Sequence, residues 1–102
     1  MKHKTLPVLF ALGAILVSAN AARARPPNIF EILTGFSANE TCGCAFVVNQ
    51  TDAYCTAFGM VDGYNVAITI DRTAANVTAT SAGVVRTARF TPSTGCLLDA
   101  LP

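Results

Sequence analysis

Four cysteines carry most of the chemistry open to this 102-residue sequence. Cys42 and Cys44 stand two apart at the head of the apolar stretch Cys42-Gly43-Cys44-Ala45-Phe46-Val47-Val48, whereas Cys55 and Cys96 each stand alone. Such thiols can hold a metal, cycle between redox states, or close disulfides. Zinc sites draw their ligands as closely spaced pairs, which Cys55 and Cys96 do not supply. Redox sites favour Cys-x-x-Cys at a helix start, and that motif is absent. An even number of cysteines in a small exported chain reads instead as two structural disulfides, Cys42, Cys44, Cys55 and Cys96 all taking part, with no metal and no cofactor.

Other catalytic constellations fail on composition. The one histidine, His3, and the two lysines, Lys2 and Lys4, fall in the first 21 residues, which the sequence marks for removal. Without them there is no base for a serine or cysteine nucleophile and no Schiff-base lysine. Ser37, Ser81 and Ser93 are followed three residues later by Glu40, Val84 and Cys96, so no S-x-x-K nucleophile exists either. Asp52, Asp62, Asp71 and Asp99 fall at expected turns or helix starts, where capping and solvation account for them. The mature chain therefore lacks a catalytic constellation of its own.

The leading segment sets the compartment. Lys2 and Lys4 precede an apolar run over residues 6–17, and Ala19-Asn20-Ala21 and Ala22-Arg23-Ala24 supply small residues at cleavage spacing. This is the pattern of a secretory signal peptide over residues 1–21, cut after Ala21 or Ala24. The run falls short of the roughly 20 residues that span a bilayer. The expected location is exported, periplasmic or secreted, with no membrane attachment after cleavage. Beyond residue 21, Arg23, Arg25, Arg72, Arg86 and Arg89 face Glu31, Glu40, Asp52, Asp62, Asp71 and Asp99, leaving the chain near neutral. No basic stripe is available to neutralise phosphates, so nucleic acid is not an expected partner.

The elements that must position the cysteines follow from local pattern. Residues 22–34 form a leader and a short helix, with Asn28 as cap, Ile29, Ile32 and Leu33 at helical spacing, and Gly35 as a stop. Residues 35–99 form a β-rich domain. The apolar, β-branched run over residues 43–49 predicts a buried strand. Thr51 or Asn49 then caps a short helix that carries Cys55, with Tyr54 and Phe58 on one face. Val66, Ile68 and Ile70 alternate with Ala67, Thr69 and Asp71, and further strands follow over residues 77–80, 84–91 and 96–98. Connections this short demand antiparallel neighbours. The fold class is α+β, a small antiparallel β-meander with one or two short helices, whose thin core needs staples.

On a strand, Cys42 and Cys44 point the same way and do not readily bond to each other. Two pairings remain, Cys42 with Cys96 and Cys44 with Cys55, or the crossed set, and loop entropy does not choose between them. Phe46, Phe58, Tyr64 and Phe90 read as core, and Arg86 and Arg89 as a solvated strand edge. Asn39, Asn49 and Asn76 head glycosylation sequons that matter only in a eukaryotic source.

Several pieces, in order, resemble a known family. They are Gly35-Phe36-Ser37-Ala38-Asn39-Glu40-Thr41-Cys42, Phe46-Val47, Asp71-Arg72, Val77-Thr78-Ala79-Thr80 with Gly83, Ala88-Arg89-Phe90 and Gly95-Cys96-Leu97-Leu98. Together they are similar to the N-terminal lead-in region of exported bacterial serine hydrolases of the class C beta-lactamase or 6-aminohexanoate-dimer hydrolase type. The resemblance covers about residues 35–98. It implies the nested pairing, Cys42 with Cys96 and Cys44 with Cys55. It also implies a non-catalytic accessory domain, or an incomplete hydrolase, whose partner is a serine hydrolase catalytic domain in cis or in trans. A Gly-Arg pair that commonly follows the Phe-Val segment in that family is replaced here by Asn49-Gln50. The alternative function is a freestanding secreted protein-binding or inhibitor module that meets its target through the loop over residues 59–64, with Met60 and Tyr64 at its tip.

Overall fold

The computed structural model describes residues 25–102. The expected signal peptide over residues 1–21 and its cleavage points after Ala21 or Ala24 lie outside them.

Helix α1 (Ile29–Cys42) starts where the sequence places it. Asn28 accepts from the Glu31 N–H at 2.9 Å, and the Glu31 carboxylate accepts from the Asn28 N–H at 2.9 Å, a reciprocal capping box. The helix does not stop at Gly35. It runs to Cys42 and passes without a break into a π-helical turn, Gly43–Val47, in which the Val48 N–H reaches the Gly43 carbonyl at 3.0 Å. The expected strand over residues 43–49 is therefore helical, and the helix crosses the boundary drawn between residues 34 and 35.

The reason lies on the buried side of the helix. Glu31, Thr34, Gly35, Ser37, Ala38, Thr41 and Cys42 recur at three- and four-residue steps and are all buried, as are Cys44 and Ala45 beyond them. That stripe outweighs the β preference of Phe46, Val47 and Val48, which is a weak prior beside tertiary packing. Asn49, at φ 61°, ends the helix in the left-handed region, and the Gln50 N–H closes back on the Cys44 carbonyl at 3.1 Å. Thr51 caps α2 (Asp52–Gly59) by accepting from the Tyr54 N–H.

The rest is a four-stranded antiparallel meander, β1 (Ala67–Asp71), β2 (Asn76–Ser81), β3 (Val84–Thr91) and β4 (Gly95–Leu98), in the order β1-β2-β3-β4. Ala82 and Gly83, at φ 50° and 78°, form the tight turn between β2 and β3, whose twist suits antiparallel strands. Val77, Ala79 and Ser81 of β2 and Ala88 of β3 are buried on the face that α1 covers. Thr69, Thr78 and Thr87 line up across the opposite face through the pairs Thr69↔Thr78 and Thr78↔Thr87. The fold is α+β.

The disulfides are Cys42–Cys96 and Cys44–Cys55, with Cα separations of 6.1 and 5.5 Å. Both leave the helical segment rather than a strand. Residues two apart on a helix point about 200° apart, so Cys42 faces β4 while Cys44 faces α2. They close loops of 54 and 11 residues. Chain entropy predicts that Cys42→Ala with Cys96→Ala lowers unfolding free energy by roughly 4 kcal/mol, and Cys44→Ala with Cys55→Ala by roughly 3 kcal/mol. Urea unfolding of the two double variants gives the order, and a larger loss from the shorter loop contradicts it.

Candidate functional site

The stripe that buries small residues turns the large ones outward. Ile29, Ile32, Phe36, Val47 and Val48 on the far side of the helical segment are 51–61 % exposed, although their size suits a core. On α2, Tyr54 and Phe58 are also more than half exposed, their rings nearly parallel with centroids 6.5 Å apart. Phe58 and Tyr64 are thus surface residues and not core. Phe46 and Phe90 are half-buried, stacked on each other at 5.8 Å.

Two depressions mark this face. One, of about 500 Å³, is walled by Val47, Val48, Tyr54 and Phe58, with Gly43 and the Cys44 and Cys96 side chains also lining it. The other, of about 350 Å³, is walled by Ile32, Phe36, Leu98 and Leu101. Asn39 and Glu40 line both, so the two depressions flank one turn of α1. The first falls within the size range of binding pockets. Exposed large apolar side chains grouped around a depression are the kind of surface that interaction sites use.

Polar anchors hold the face in place. Arg72 donates to the Ala45 carbonyl at 3.1 Å, the Gln50 carbonyl at 2.8 Å and Asp52 at 2.8 Å. It thereby satisfies the Ala45 carbonyl, left without a partner at the end of the helical segment, and the Gln50 carbonyl in the link to α2. Its guanidinium also lies 5.4 Å from the centre of the Phe46 ring. Arg86 is not the solvated edge residue the sequence suggests. It is half-buried and donates to the Glu31 carbonyl at 3.0 Å, and a β-carbon at Gly35 would stand 3.0 Å from it. Gly35 leaves room for that approach and does not end the helix. At Gly59 a β-carbon would overlap the Thr41 hydroxyl, so this glycine sets how closely α2 lies on α1. Arg89 is exposed and pairs with Asp99 at 2.9 Å, which raises its pKa.

The expected loop is more tied than a free binding loop. Met60 is 46 % exposed, but the Tyr64 ring packs edge-on against Phe30 and its carbonyl accepts from Ser81. The four cysteines are consumed in disulfides, and no free thiol remains. Among the described residues no group of His, Cys, Asp and Glu could hold a metal ion, and no helix is long and apolar enough to cross a membrane. Sequence reasoning missed the apolar outer face and Arg72. The signal for the face was the helical spacing of small residues from Thr34 to Ala45, running through both Gly35 and Gly43.

The chain matches no protein-family model, no curated protein and no solved structure.

The first turn of α1 carries a pH dependence. Hydrogen bonds from Arg25, at 3.0 Å, and from the Asn28 N–H lower the Glu31 pKa from 4.5 to about 2. A carboxylate with a depressed folded-state pKa contributes stability above its unfolded pKa and loses it as pH falls through the folded one. Stability should therefore decline between about pH 4.5 and about pH 2. Glu31→Gln should flatten that part of a thermal-denaturation profile, and an unchanged slope in the variant contradicts the assignment.

Proposed function

We propose that this chain is an exported, non-catalytic docking module that packs the outer face of α1 and its π-helical turn against a serine hydrolase catalytic domain, in cis or in trans. The observation that carries the reading is the apolar face itself. Ile32, Phe36, Val47 and Val48, on a helical segment whose other side is already packed, and Tyr54 and Phe58 on α2 stand half exposed beside two depressions. A lone domain gains nothing from presenting these side chains to water, since completing the burial of each half-exposed one would contribute about 1 kcal/mol. The resemblance of residues 35–98 to the lead-in region of exported serine hydrolases supplies the identity of the partner. The two disulfides fit an oxidising compartment. They also hold the face rigid, which reduces the ordering cost of docking.

The test is co-purification from the exported fraction of the native source, with a fluorophosphonate or a fluorescent penicillin to label reactive serines. A labelled hydrolase is expected to travel with the wild-type chain, or to be the same polypeptide. Phe36→Asp with Val47→Asp should weaken the association, or the packing of the two domains, about 100-fold while both disulfides still form. Association that survives the double substitution, or a chain that travels with no serine-reactive protein, contradicts the reading.

A further inference from the structure

Resting on that docking reading, we infer that the larger depression receives a basic side chain of the partner polypeptide, its aliphatic stem lying over Gly43 and its cation pairing with Glu40.

Glu40 is the one charged residue that lines this depression, and it is half-buried. Among the described residues no ion pair reaches Glu40. Arg25 pairs with Glu31, Arg72 with Asp52 and Arg89 with Asp99, while Arg86, on the side of the smaller depression, directs its guanidinium to the Glu31 and Asp99 carbonyls. Asp71 caps the turn after β1, and Asp62 lies in an exposed loop. Glu40 is thus the carboxylate held against apolar surface without a cation of its own. A partner that covered the groove without supplying one would leave a buried unpaired charge, which costs several kcal/mol.

Gly43 fits the same occupant. It lies within a continuous helical segment, where glycine costs about 1 kcal/mol relative to alanine. Among the described residues, nothing beyond its own helical turn lies within 4 Å of where its β-carbon would be, so no packing seen there requires a glycine. Glu40, Gly43 and Val47 follow at three- and four-residue steps and so share one side of the segment. The missing side chain leaves a slot from the carboxylate to the walls formed by Val47, Tyr54 and Phe58. A lysine or arginine is long and apolar along its stem and charged at its tip, which matches a slot apolar at one end and acidic at the other. The exposed aromatic rings of Tyr54 and Phe58 add a surface that also favours a cation.

The test uses the oxidised, exported protein with isotopic labelling and two probes, acetyl-Leu-Lys-Leu-amide and the same peptide with norleucine in place of lysine. Amide shifts are expected to move at Glu40, Gly43, Val47 and Tyr54, with the lysine peptide binding about fivefold more tightly. Glu40→Gln should abolish that preference and leave the norleucine peptide's affinity unchanged. Gly43→Leu should block both peptides without lowering the melting temperature. Equal affinities at the groove, or a lysine preference that survives Glu40→Gln, overturn the inference and leave the docking face standing. No shift at the groove with either peptide overturns both.

Discussion

The angle between Cys42 and Cys44 governs how the domain is assembled. Two residues apart on a helix, they leave it on opposite sides, one bonded to Cys96 on β4 and the other to Cys55 on α2. A single helical segment is thereby clamped between the end of the sheet and a second helix. Neither bond could be made in this way from a strand, where the two side chains would share a face. Gly35 and Gly59 continue the same logic, since each gives the space for a close approach that the clamp demands, of Arg86 in one case and of α2 in the other.

Close packing on one side of α1 determines what lies on the other. The buried face is made of Thr34, Gly35, Ser37, Ala38, Thr41 and Cys42, set against Val77, Ala79 and Ala88 of the sheet. A core of such small residues buries little apolar area, which is why covalent staples are needed. Phe46 packs against the core, whereas Ile29, Ile32, Phe36, Val47 and Val48 then have no place inside. They form the outer face, held at its C-terminal end by Arg72 on the Ala45 and Gln50 carbonyls. The stripe that fixes the helix thus also decides which side stays on the surface, and that is the side on which the docking proposal rests.

The strands and their antiparallel order were legible in the sequence. Alternation at Val66, Ile68 and Ile70, the break at Gly83 and the turn before Cys96 are local signals, and short connections leave one topology. The capping box at Asn28 and Glu31 was equally local. The course of the chain from Gly35 to Val48 was not legible, because glycines and β-branched residues argue against a helix one at a time. Only their period, read over fifteen or so residues, argues for it. The disulfide pairing was reached through family resemblance, since loop entropy did not separate the two alternatives. The apolar face was hidden for a different reason. Ile32, Phe36 and Val47 look like core residues in a sequence, and nothing local states that the chain leaves them half exposed.

Photo-crosslinking from two matched positions tests the docking face most directly. Val47 lies on the outer side of the helical segment at 57 % exposure, and Val85 lies on strand β3 at 59 %. A photoreactive residue placed at each in turn, in the native source, compares two surfaces of equal accessibility. Val47 is expected to crosslink to a serine hydrolase domain while Val85 yields none. Crosslinks from Val85 alone, or equal and diffuse crosslinking from both positions, would contradict a docking role for the outer helix face.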